Sequence, residues 1–239
     1  MTVSFEISSD PARACAALMV GAVLSQGHIV LTGGSTPRAA YEQFVGAVST
    51  VGIDLTRTTF WVGDERCVEP TDERSNFRMI REALLDRLAP GNRPTVHRMK
   101  GELGPARGAD DYEWTLREDG PAEFDLLLLG IGPDGHCASL FPHQAALAER
   151  SRLVVGVPEA GLEPFVARIS MTLPTLASAR QIAFLASGDG KAEAIADAFG
   201  PGADPDPATP ASMLVPEAKQ ITVLLDPAAA ARLALEEPR

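Results

Sequence analysis

The sequence predicts an α/β fold built on a mostly parallel sheet, and three observations carry that expectation. Short apolar runs alternate with stretches of helical period along the chain, the pattern of successive βα units. Leu126-Leu127-Leu128-Leu129 is apolar at consecutive rather than alternate positions, as a strand buried on both faces must be. Several runs end in glycine-rich turns, and ligands of parallel sheets bind just beyond the carboxyl ends of the strands.

Taken in order, strands are expected at residues 3–7, 29–32, 59–62, 124–129, 153–155, 168–171, 182–185 and 221–225. Helices lie between them. Pro37 follows Gly33-Gly34-Ser35-Thr36, where its fixed φ suits a first helical turn. Phe77, Ile80, Leu84 and Leu88 recur at three- and four-residue spacing and form one apolar stripe. Ala192, Ile195, Ala196 and Phe199 repeat that spacing after Asp189, a candidate N-cap. The strongly linker-like stretch, residues 200–210, carries four prolines and two glycines. It comes too late to divide two domains of ordinary size, so it reads as a surface loop on a single domain spanning residues 1–239.

A hydrophobic content of 45% against 22% charged residues is that of an ordinary globular chain. The formal net charge of −11 disfavours nucleic acid and anionic membrane as partners. An anionic small molecule would therefore need a local cluster of arginine and lysine. Cys15, Cys67 and Cys137 are odd in number and widely spaced, so no disulfide framework is indicated. No secretory leader is evident, and no window reaches the roughly 18 apolar residues of a membrane span. A cytoplasmic location is expected.

The densest chemistry sits in Gly130-Ile131-Gly132-Pro133-Asp134-Gly135-His136. The three spaced glycines match a dinucleotide fingerprint, but Pro142 follows too soon for the long helix such a site needs. What remains is a turn presenting a titratable imidazole at a strand end, able to exchange a proton near neutral pH. Gly33-Gly34-Ser35-Thr36 forms a second strand–glycine–helix junction. There free N–H groups and small residues suit a phosphate. Lys191 stands at another β–α mouth, where a lysine opposes the helix dipole unless an anion accompanies it. Gly63-Asp64-Glu65-Arg66 ends a strand with three charges, which must face a cleft or pair with one another. Arg74, Ser75, Asn76 and Arg78 read as a solvated helix start, with Ser75 a competent cap. Cys137 reads as a small core thiol, and His136 and His143 are wrongly spaced to share a metal. No metal and no cofactor are expected.

These motifs together, in order through nearly the whole chain, resemble the 6-phosphogluconolactonase family. The most specific parts are Gly63-Asp64-Glu65-Arg66 and the run from Gly130 to Pro142. The resemblance implies an open, mostly parallel Rossmann-like sheet with helices on both faces, shared with glucosamine-6-phosphate deaminases and ribose-5-phosphate isomerases. It also implies metal-free hydrolysis of 6-phospho-D-glucono-1,5-lactone to 6-phosphogluconate, in the oxidative pentose phosphate pathway. Carried over by position, His136 is the general base, with Asp64, Arg66 and Asp134 beside it. Gly33, Gly34, Ser35 and Thr36 bind the phosphate, with Arg168 and Lys191 as cationic partners. The partner is a phosphorylated sugar lactone, and a monomer is the expected state. Cys137, where threonine is commoner, and His143, where a small residue is common, depart from the pattern beside the site rather than in its chemistry.

Two alternatives differ in class. The sister deaminases share the Asp-Gly-His turn but need an acid in a Phe-Asn-Glu-Pro segment. Here the corresponding Ser139-Leu140-Phe141-Pro142 has no carboxylate. A non-catalytic sugar-phosphate effector domain would normally carry an additional partner-binding segment, for which this chain has little length. Within the lactonase reading, either Asp64 or Asp134 orients His136. Either Arg66 or backbone N–H groups of residues 130–135 receive the oxyanion.

Overall fold

The computed structural model describes residues 2–234. In chain order these form β1 (Thr2–Ile7), α1 (Pro11–Leu24), β2 (His28–Leu31), α2 (Ser35–Val51), β3 (Thr59–Val62), β4 (Asp64–Arg66), α3 (Asn76–Ala83) and β5 (Thr95–His97). They continue with α4 (Pro105–Asp119), β6 (Leu126–Leu129), β7 (Val154–Val157), β8 (Arg168–Met171), α5 (Leu173–Ala177), β9 (Gln181–Ala186), α6 (Ala192–Phe199) and β10 (Gln220–Leu225). The main sheet has seven strands in the order β1-β10-β9-β6-β2-β3-β5, and every neighbouring pair is parallel.

The leucines of β6 show why this sheet is apolar throughout. Leu126 and Leu128 pack with Met19 of α1, Phe44 of α2 and Ile80 of α3. Leu127 and Leu129 pack with Tyr112 of α4 and Phe199 of α6 on the opposite face. Alternate side chains thus enter two cores, so no position on the strand tolerates a charge. The helices lie on both faces of an open parallel sheet, as the family resemblance implies.

Connections leave β2 and β6 in opposite directions, β2 toward β3 and β6 toward β9. Adjacent strands whose chains diverge leave a crevice at their carboxyl ends, the usual ligand position in such sheets. The loops entering it are residues 32–36 and 130–136.

The structure corrects several local expectations. The strands at residues 153–155 and 168–171 do not join the parallel sheet. As β7 and β8 they form a separate antiparallel sheet with β4. Gly63 makes the corner between the sheets, its N–H donating to Leu31 (3.0 Å) and its carbonyl accepting from Met171 N (2.9 Å). The apolar stripe is broken as well. α3 ends at Ala83, and Leu85–Arg87 form a 3-10 turn that still buries Leu88. Asp189 does not cap α6. It opens a 3-10 turn (Asp189–Lys191) after Gly188, whose φ of 89° is left-handed, and among the described residues its carboxylate accepts only from the adjacent Gly190 N (2.9 Å). The strand expected from residue 124 starts at Leu126, while the Phe124 carbonyl accepts from Arg180 N (2.8 Å). The end of the surface loop at residues 200–210 packs on the glycine turn, with Ala211 N donating to Gly135 O (2.9 Å).

Candidate active site

The crevice opens into a cleft of about 390 Å³. Gly33, Gly34, Ser35, Thr36, Asp64, Arg66, His136, Arg168 and Lys191 all line it. Nine of the ten expected site residues therefore meet in one cavity. The tenth, Asp134, touches it through His136, since its Oδ1 lies 2.6 Å from the imidazole Nδ1. Among the described residues no group of three or more His, Cys, Asp and Glu is placed to hold a metal, and no helix is long and apolar enough to cross a membrane.

The His136 turn is built by its glycines. Gly135 adopts a φ of 77°, a left-handed conformation that glycine takes without steric cost. A Cβ on Gly132 would collide with the His136 ring and with the Asp134 carboxylate. Gly132 N donates to His136 O (2.8 Å), which closes the turn. Burial pushes the Asp134 carboxyl up, but the hydrogen bond and charge of His136 outweigh this and hold it below the usual carboxylate range. Asp134 is therefore ionised and can only accept. Nδ1–H therefore donates to it, which in a neutral ring leaves the lone pair on Nε2. Phe141 leans on the same ring at 4.7 Å between centroids, and its own ring faces the Arg168 guanidinium at 6.0 Å.

Asp64 occupies a different position from the one Asp134 fills. Its Oδ2 accepts from Ser139 Oγ (2.7 Å) and its Oδ1 from Asn76 Nδ2 (3.2 Å). Glu65, which the sequence left unassigned, is buried and accepts from Arg66 N (2.7 Å), Asn76 N (2.7 Å), Phe77 N (2.8 Å) and Ser75 Oγ (3.0 Å). Burial raises its carboxyl, against the pull of those donors. Its charge satisfies the free N–H groups that open α3. The charged strand end is thus half structural: Glu65 holds a helix, while Asp64 and Arg66 face the cleft.

Arg66 donates through Nη1 to Arg74 O (2.7 Å), and its buried Nε has no partner among the described residues. Arg168 is buried, with Nε on Val166 O (3.0 Å) and Nη2 on Pro164 O (2.7 Å) and Leu162 O (3.5 Å). Burial and the neighbouring Arg66 lower its guanidinium to about 10, which leaves it charged at neutral pH. Most of Arg168 is thus committed to residues 162–166, leaving Nη1 for a ligand. Lys191 is lowered by burial and partly restored by Asp134. The first turn of the 17-residue helix α2 lines the same cleft, preceded by Gly34 with a φ of 104°.

Asn76, expected as part of a solvated helix start, is instead buried with Ser75 and lines the cleft, because its side chain turns in toward Asp64. Its carboxamide lies against Gly33, where any Cβ would collide with it, and Oδ1 is buried without a partner among the described residues. The missed signal was the absolute smallness of Gly33, which makes sense only beside a close neighbour.

Comparison with known proteins gives the family of the chain. Residues 7–223 match the family described as glucosamine-6-phosphate isomerases/6-phosphogluconolactonase. A 6-phosphogluconolactonase of Mycobacterium tuberculosis is 37% identical, over 98% of this chain and 99% of its own. The human 6-phosphogluconolactonase is 36% identical, over 84% of this chain and 78% of its own. The crystal structure of 6-phosphogluconolactonase from Leishmania guyanensis superposes with a TM-score of 0.82 at 26% identity, covering 98% of this chain and 100% of that one. The chain belongs to the glucosamine-6-phosphate isomerase/6-phosphogluconolactonase family.

Proposed function

We propose that this protein hydrolyses 6-phospho-D-glucono-1,5-lactone to 6-phospho-D-gluconate in the oxidative pentose phosphate pathway. The single observation that carries the proposal is the Asp134–His136 pair, 2.6 Å apart, beside a cleft lined by Arg66, Arg168 and Lys191. An ester carbonyl needs an activated water, a site for the developing oxyanion and a proton for the leaving oxygen. His136 Nε2 takes a proton from water as the water oxygen bonds to C1. The imidazolium so formed is stabilised by the Asp134 carboxylate. It returns the proton to the ring oxygen as the C1–O5 bond breaks, so water is added across the ester. General acid–base catalysis of this kind is worth about 10²–10⁴-fold.

In this reading Arg66, which lines the cleft, receives the oxyanion. The first turn of α2, with Ser35 and Thr36, binds the phosphate with Lys191 and Arg168 Nη1. That binding energy lies far from the breaking bond and serves to position the lactone. Asp64 holds the site in shape. Phe141 occupies the place where amine chemistry of the deaminase type needs an acid, so that position supplies no carboxylate. The chain is read as a single-domain cytoplasmic monomer that needs no metal and binds neither nucleic acid nor membrane.

The test is to generate the lactone in situ from glucose 6-phosphate and follow its loss against the spontaneous rate. Acceleration by the wild-type protein and none by a folded His136→Ala variant is the expected result. No acceleration by folded wild type sends the reading to ammonia release from glucosamine 6-phosphate.

A further inference from the structure

The turn that carries His136 contains a local strain whose support lies outside the cleft. Ala138 has a φ of 49°, a left-handed conformation that costs a residue with a Cβ and persists only where its surroundings enforce it. Ser139, the next residue, is fully buried and makes two hydrogen bonds to the small antiparallel sheet. Its Oγ donates to Asp64 Oδ2 on β4 (2.7 Å), and its N–H donates to Ser170 Oγ on β8 (3.2 Å). Asp64 and Ser170 are themselves paired across β4 and β8. On the far side of this anchor Phe141 turns back onto the His136 ring. Ser139 does not line the cleft, yet the strained residue, the imidazole and its packing partner all lie within three residues of it.

We infer that Ser139 is a positioning residue for the lactone hydrolysis, fixing the His136 turn to Asp64 on the neighbouring sheet. The inference rests on the reading of the site given above. Asp64 is suited to the task because Asn76 holds its other oxygen, so its carboxylate is a fixed point and not a mobile one. Losing the Ser139 donor frees one side of that carboxylate and lets Ala138 relax toward an ordinary conformation. The imidazole then moves relative to a lactone still held by its phosphate. A shift of about 1 Å in a reacting group is enough to cost about 10²-fold in turnover.

The test compares wild type with Ser139→Ala and, as a variant that keeps the side chain's bulk, Ser139→Cys. Three quantities are read: turnover of 6-phosphogluconolactone, the Kd of 6-phosphogluconate, and the downfield proton resonance of the His136 Nδ1–H. The expected result is a kcat lower by about 10–10²-fold, with Kd changed less than about threefold and the Nδ1–H resonance shifted or broadened. A role confined to stability would lower the melting temperature and leave the resonance and kcat in place. Unchanged kcat in either folded variant, or parallel loss of kcat and affinity with an unmoved resonance, overturns the inference. Should the wild type fail to hydrolyse the lactone, the functional reading falls. The resonance in wild type and variants still decides whether Ser139 sets the His136 geometry.

Discussion

Asp134 and His136 are hydrogen-bonded at 2.6 Å although only Gly135 separates them in the chain. Residues two apart on a strand would point their side chains the same way but too far apart to share a proton. The left-handed Gly135 and the bare Cα of Gly132 fold the backbone tightly enough to bring the carboxylate onto Nδ1. The pair predicts a graded set of rates. His136→Ala lowers kcat by about 10²–10⁴-fold and leaves the fold intact. Asp134→Asn, which keeps an acceptor for Nδ1–H but removes the charge that favours the imidazolium, lowers kcat by less. The double variant is no slower than His136→Ala alone, because the two residues act as one unit. Steady-state rates on lactone generated in situ check all three.

Lys191 is predicted to act on affinity. Removing one charge-assisted hydrogen bond to a phosphate costs about 1.5–3 kcal/mol, so Lys191→Ala raises KM by about 10–10²-fold while kcat stays in the wild-type range. A pH dependence follows with a definite sign. Burial lowers the ammonium from its ordinary value of 10.5, so the cation is lost at a lower pH than a surface lysine's. Affinity for 6-phosphogluconate therefore weakens on the alkaline side before pH 10.5 is reached. Lys191→Arg restores the charge over that range. Calorimetric titration with 6-phosphogluconate measures this without interference from spontaneous lactone opening.

How far the sequence foretold this arrangement depends on which physical signal each element carries. β6 was legible because burial on both faces leaves nothing but leucine, and the glycine turn was legible because its glycines and histidine stand in tight register. β4 was not legible as a strand, since Asp64-Glu65-Arg66 has no apolar residue. It persists because Glu65 gathers donors from the start of α3 and Asp64 gathers them from Asn76 and from Ser139, the last a segment far away in sequence. The choice between Asp64 and Asp134 as the partner of His136 was likewise closed to sequence reasoning. It turns on the backbone dihedrals of one glycine. Arg168 lines the cleft, but its attachment to the carbonyls of residues 162, 164 and 166 left no trace in composition or spacing.

Gly33 is predicted to tolerate no side chain. A Cβ there would overlap the Asn76 carboxamide, which is buried and tied to Asp64. Relief requires Asn76 to move, and with it the start of α3 and the Asp64 anchor. Gly33→Ala is expected to cost about 1–3 kcal/mol of stability, as overpacking of a filled interior does, and to raise KM through distortion of the phosphate loop. Gly91, whose surroundings are open, provides the control: Gly91→Ala leaves KM unchanged. Thermal unfolding and steady-state kinetics on the two variants separate local crowding from a general intolerance of added methyl groups.

The end of the sheet remote from the cleft is predicted to weaken in mild acid. Trp61 Nε1 donates to His28 Nδ1 (3.0 Å), and an indole N–H can only donate, so that nitrogen must hold a lone pair. His97 stacks against the same indole, with centroids 4.1 Å apart and planes 13° from parallel. Burial lowers both imidazoles from their ordinary value of 6.5, with Asp125 pulling His28 partly back, Asp119 doing the same for His97, and His28 adding to the lowering of His97. Since both folded values lie below the unfolded one, the unfolded chain binds more protons as the pH drops. The stability contributed by the neutral rings is complete above the unfolded value and is lost as pH falls through the folded values. The melting temperature should therefore fall as the pH drops below the ordinary imidazole value of 6.5, and His28→Gln/His97→Phe, which keeps an acceptor and a stacking ring without a titrating group, should flatten that slope. Replacing the exposed Trp114 by phenylalanine leaves Trp61 as the fluorescent reporter. Its emission should change over the same pH interval in the wild-type histidine background and hold steady in the double variant.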